Sequence, residues 1–135
     1  MSHFEKLGVC NKAHELTLNV YRYTALFPKH ELFGLTSQMR RASVSIGSNI
    51  AEGLGRRSDG ELARFIQIAL GSCNELEYQI RLARDLGYIS MDGYTELDRS
   101  INEVGRMLTG FAVRVSERIL RAKKQAKLSS FAPST

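Results

Sequence analysis

A chain of 135 residues, 43% of them hydrophobic, is one domain of ordinary size and can bury a core without disulfide or metal staples. Its only cysteines, Cys10 and Cys73, lie far apart and read as reduced thiols; no apolar run nears the roughly 20 residues of a membrane span and no signal peptide is visible, so the expected location is cytoplasmic. Nineteen Lys and Arg against fourteen Asp and Glu leave a net charge of +5, which favours polyanionic partners.

Residues 1–8 form an irregular lead-in. From Val9 the apolar positions run Val9, Ala13, Leu16, Val20, Tyr23 and Phe27, in alternating steps of four and three. That spacing predicts an amphipathic helix over 9–27, ended by Pro28. A second helix is expected over 35–54, with Thr36 or Ser37 as its N-cap. Its seam is Leu35, Met39, Ala42, Ile46, Asn49 and Gly53, and beside it runs a polar row of Arg41, Ser45, Asn49, Glu52 and Arg56. Asn49 stands where the seam should be apolar, and Gly47 lies mid-helix at a cost of about 1 kcal/mol against alanine. Close helix approach or a bend would account for the glycine.

Ser58-Asp59-Gly60-Glu61 fits a capping box and opens a third helix over 59–87. Its seam is Leu62, Ile66, Ala69, Cys73, Leu76, Ile80 and Ala83, widened by Phe65 and Leu70, with Gly87 as a C-terminal stop. A fourth helix is expected over 91–126, on Tyr94, Leu97, Ile101, Val104, Leu108, Phe111 and Val115; past Val115 the seam meets Arg118. Residues 129–135 read as a disordered tail. No strand pattern occurs. Four helices with short connections predict an all-α, up-down-up-down four-helix bundle in a single domain, residues 1–128.

Candidate chemistry is sparse. His3, His14 and His30 form no metal-binding spacing, neither cysteine belongs to a Cys-x-x-Cys pair, and Gly53-Leu54-Gly55 lacks the lysine of a phosphate loop. No metal, cofactor or enzymatic activity is expected. Asn49 and Glu52 could line a pore or bind a polar ligand. The structural alternative makes Glu52–Arg56 an i,i+4 ion pair and Asn49 a residue that fixes helix register or assembly, with Gly47 and Gly53 as packing positions.

The basic residues are the remaining signal. Arg114, Arg118, Arg121, Lys123, Lys124 and Lys127 against Glu117 carry +5, the net charge of the whole chain. Arg114, Arg118, Arg121 and Lys124 fall within about 120° on one side of a helix. They form either an electrostatic landing strip for RNA or DNA, or favourable cations at a helix C-terminus. Arg40, Arg41, Arg56 and Arg57 on helix two could add a second patch. Upstream in helix four, Glu96, Glu103 and Glu117 interleave with Arg99, Arg106 and Arg121, which reads as self-neutralised.

Several blocks carry a resemblance: Phe27-Pro28, Phe33 to Ala42, Ser45-Ile46-x-Ser48-Asn49-Ile50-Ala51-Glu52-Gly53, and Ile68-Ala69-x-Gly71-Ser72-x-x-Glu75-Leu76. They resemble the bacterial four-helix-bundle family of ribosomal RNA intervening-sequence proteins, also labelled S23-like, over residues 5–118. That family is similar in turn to the accessory protein of diversity-generating retroelements, a basic pentameric barrel that partners a reverse transcriptase and nucleic acid. The resemblance implies a homopentamer with a central channel, a nucleic-acid or protein partner, and no established enzymatic activity. The chain departs from the family's usual pattern at Gly47, where proline is common, and at Cys10, where tryptophan is common.

Overall fold

The computed structural model describes residues 8–131. His3 and the last residues of the expected tail, 132–135, lie outside the described residues. Four α-helices follow in order: α1 (Gly8–Thr24), α2 (Leu35–Leu54), α3 (Asp59–Asp85) and α4 (Met91–Ser130), with a short 3-10 turn at Lys29–Glu31. Among the described residues there is no strand. Each helix packs against the next, and α4 returns to α1, which closes an antiparallel four-helix bundle. The core is the meeting of the seams: Leu16, Val20, Met39, Ile46, Ile66, Leu76, Ile80, Leu97, Ile101, Val104 and Leu108 are all essentially inaccessible.

The ends differ from expectation in ways that local chemistry explains. Helix α1 stops at Thr24, not at Phe27. Ala25, Leu26 and Phe27 continue as turns, with Leu26 N–H donating to Tyr23 O and Phe27 N–H to Thr24 O, both at 3.1 Å. Phe27 stays buried and packs on Tyr88, ring centroids 5.3 Å apart. At α2 the expected Thr36 or Ser37 cap is replaced: Gly34 takes the cap position, and the Glu31 carboxylate accepts from the Leu35 N–H at 3.3 Å. Its other oxygen accepts from the Tyr88 hydroxyl at 2.9 Å, which ties the α1–α2 and α3–α4 connections together. These bonds hold the Glu31 carboxyl below the ordinary glutamate range.

Ser58 caps α3 as expected, its Oγ accepting from Glu61 N–H at 3.2 Å. Gly87, at φ +76°, ends that helix in a Schellman motif, with Tyr88 N–H donating to Ala83 O and Gly87 N–H to Arg84 O. Helix α4 runs through Ser130, beyond the expected end at 126, so the start of the expected disordered tail is helical. Forty residues make it about 60 Å long.

The seams drift. On α2 the core position after Ile46 is Ile50, and Asn49 is only half-buried. On α4 the position after Val115 is the half-buried Ile119, and Arg118 is exposed. A straight helix turns 3.6 residues per turn, so it slips by about 20° per heptad against a 3.5-residue repeat and hands the seam to the next residue.

Candidate nucleic-acid interface

The first turn of α3 and the last core layer of α4 meet at one end of the bundle. There Asp59 takes both Arg118 Nε and Nη2, at 3.2 and 2.9 Å. The guanidinium beside Asp59 holds its carboxyl below the usual aspartate range. Arg118 is therefore a fixed fork whose charge is answered locally by Asp59. Beyond Ile119 every side chain of α4 is exposed, including Ala122 and Ala126, so the helix leaves the bundle as an arm. From Leu120 to Ser130 it extends about 16 Å. The arm carries Arg121, Lys123, Lys124 and Lys127, has no carboxylate of its own, and makes no ion pair among the described residues.

On the bundle side of the arm, Arg114 lies across Gly110 and Phe111. Its Cζ stands 5.8 Å from the Phe111 ring centre, and a Cβ on Gly110 would sit 3.4 Å from Arg114 Nη1. Arg106 belongs to the same face, one turn before Gly110. Its expected neutralising partner, Glu103, faces α1 and pairs with Lys12 at 3.6 Å; Glu96 accepts from the Tyr23 hydroxyl at 2.6 Å. Arg106 is thus a member of the basic face that local sequence spacing assigned to a neutral stretch. The signal that could have found it is Lys12, which lies on the outer edge of helix one beside Ala13.

The second basic patch is not one patch. Arg56 pairs with Glu52 at 2.6 Å and stacks on Phe65, and Arg57 is exposed beside it, both at the same end of the bundle as the arm. Arg40 and Arg41 lie about 24 Å away along α2. Arg40 donates to Thr24 Oγ1 at 2.9 Å and stacks on Tyr21, while Arg41 is exposed.

Asn49 finds its hydrogen bonds within the chain. Its Nδ2 donates to Ser45 O at 2.8 Å and to Ser45 Oγ at 3.0 Å, and Ser45 Oγ shares a 2.8 Å bond with Ser72 Oγ across the α2–α3 seam. Gly53 lets α2 touch the start of α3: a Cβ there would meet Phe65 Cβ at 2.9 Å and Leu62 Cδ1 at 3.0 Å. Gly47 lines a shallow apolar groove with His14, Thr17, Val44, Ser48 and Ala51, and nearby the Thr17 hydroxyl donates to Ser43 O at 3.1 Å. Helix α2 runs unbroken through it.

Burial pushes the Cys10 thiol up to about 11 and the Cys73 thiol up to about 12, which keeps both protonated. Among the described residues no three His, Cys, Asp or Glu side chains gather as metal ligands. No helix among them is long and apolar enough to cross a membrane.

Residues 5–110 match the model of the family described as 23S rRNA-intervening sequence protein. A crystal structure of a protein of unknown function from the S23 ribosomal protein family of Bacteroides thetaiotaomicron is similar to this chain, with 27% identity and a TM-score of 0.71. The likeness covers 77% of this chain and 94% of that one. No curated protein sequence matches the chain. The family match ends at Gly110, so Arg114, Arg118 and the arm lie beyond it.

Proposed function

The chain belongs to the 23S rRNA-intervening sequence protein family, and from that premise we propose that it is a non-enzymatic, oligomeric helical-bundle protein that associates with RNA or DNA through the basic face of α4. The observation that carries the reading is the arm: four cations on eleven consecutive exposed helical residues, with no acid among them. Phosphate backbones are the polyanions such a surface fits, because lysine and arginine gain by releasing condensed counterions. Near the arm, Phe111 is buried under Arg114 and Phe65 lies between Arg56 and Arg64, while Phe131 at the end of α4 is exposed. Four cations on the arm against that ring favour binding led by the backbone over base stacking. A cytoplasmic location accords with reduced, buried cysteines.

Assembly into a pentameric barrel belongs to the same proposal. Its support is apolar surface left uncovered on a single chain: Phe33 is 93% and Leu26 81% exposed, with Leu18, Leu32 and Val44 also open on the α1–α2 side. The same surface favours a second reading, an assembly or scaffold module for a partner protein, in which the arm serves only solubility. Replacing Arg121, Lys123 and Lys124 together by alanine separates the two. The first reading expects RNA affinity, measured by fluorescence anisotropy at low salt, to fall at least tenfold with an unchanged melt. Unchanged affinity would remove the arm from the interface.

A further inference from the structure

We propose that the notch between the start of α1 and the middle of α4 is a seat for one phosphodiester of a bound strand, gripped by Arg106, Arg114 and Arg118. The proposal rests on the nucleic-acid reading above and goes beyond it, because it names the residues that fix where the strand lies. The notch measures about 410 Å³, and Met107 and Phe111 form its apolar floor beside Gly110. That is room for a phosphate with its sugar, and among the described residues no carboxylate lines it, although Asp59 pairs with Arg118 at its edge. The contrast is the groove farther along α3 and α4, where Glu77 and Asp98 stand beside Arg81 and Arg84 and answer their charge.

Two of the three arginines are already oriented. Asp59 holds Arg118 by Nε and Nη2, which leaves the remaining three N–H groups of the guanidinium to donate elsewhere. Arg114 stands with its Cζ 5.8 Å from the Phe111 ring centre and its Nη1 beside the space that Gly110 leaves free. An arginine fork held in place gives up little freedom when it meets a phosphate, and it matches the phosphate oxygens two at a time. Arg106, exposed and unpaired among the described residues, closes the third side. The arm's lysines differ: they are point charges on flexible stems, suited to attract a strand and not to position it.

The test uses the full chain and a fluorescein-labelled poly-uridine oligonucleotide, with adenosine monophosphate as a second probe. Arg106→Gln removes one fork. Gly110→Leu fills the notch and displaces Arg114 without changing charge, and circular dichroism melts check that both variants fold. Each is expected to weaken oligonucleotide binding by roughly tenfold, the scale of one hydrogen bond to a charged group. Arg106→Gln should also make the slope of log K against log salt shallower by about 0.7. Wild-type affinity in Gly110→Leu would overturn the seat, since charge without shape would then suffice. If both variants bind normally while Lys123→Gln with Lys124→Gln does not, the seat falls and the nucleic-acid reading stands. If wild-type protein binds no oligonucleotide at low salt, that reading falls and the seat with it. Saturation by adenosine monophosphate at the oligonucleotide's own affinity would assign the notch to a free nucleotide and overturn the strand seat.

Discussion

Gly53 is buried where a methyl group has no room, against the Cβ of Phe65 and the end of Leu62. Adding one overpacks the α2–α3 hairpin at about 1–3 kcal/mol, offset in part by the roughly 1 kcal/mol that alanine gains in a helix. Gly53→Ala should therefore lower unfolding stability by about 1 kcal/mol, read from urea midpoints; an unchanged midpoint would show that the hairpin can give way. Gln79 presents the opposite case. It is 4% exposed, its Nε2 donates to Glu75, and among the described residues no protein group donates to its Oε1. An orphaned buried acceptor costs about 1–3 kcal/mol, so Gln79→Met should raise stability by about 1 kcal/mol in the same assay. A loss would mean that the carbonyl has a partner in the assembled protein. Asn49 was legible as an anomaly from sequence, but its partners were not. Ser45 is one turn back and Ser72 is on the next helix, so its hydrogen-bond chain needs the packing of two elements.

At the scale of elements, the seams of α1, α3 and α4 could be read almost residue by residue, because burial of an amphipathic stripe is what forms those helices. Two of the misreadings share a cause, which is contact across sequence distance. Arg118 looks like a free cation until Asp59, 59 residues away, arrives beside it. Arg106 looks neutralised until Lys12 takes Glu103. The cap of α2 comes from Glu31 in the preceding turn, not from Thr36 or Ser37. That cap and the Asp59–Arg118 pair both hold a carboxyl below its ordinary range. The folded state then binds fewer protons than the unfolded one, and the stability these groups add is complete above the usual carboxylate range and drains away as pH falls through it. The melting temperature should accordingly drop on acidification, and Glu31→Gln should flatten the part of that drop that belongs to Glu31. A variant whose pH profile overlays wild type would show that the Glu31 contacts add nothing in solution. Deleting residues 120–135 removes only side chains that are exposed among the described residues, so the melt should stay within experimental error while the charge that attracts a strand is lost.

The whole molecule joins two parts of different standing. The family match, residues 5–110, covers most of the bundle, whose fold was plain from periodicity and from the Ser45 to Gly53 block. The basic end of α4 lies outside that match, so its role has to be argued from its own charge and exposure. The uncovered apolar side chains of the α1–α2 connection make the same point about assembly: a single chain leaves Leu26 and Phe33 in water. Light scattering should return five times the 15.1 kDa chain mass for a pentamer, and a clean monomer would contradict it. The central claim is that the α4 arm binds nucleic acid by its backbone, and salt tests it most directly. In an anisotropy titration of single-stranded RNA over a range of salt concentrations, the four arm cations predict a slope of log K against log salt near −3, at about −0.7 for each phosphate neutralised. A slope near zero, or no binding at the lowest salt, would contradict it.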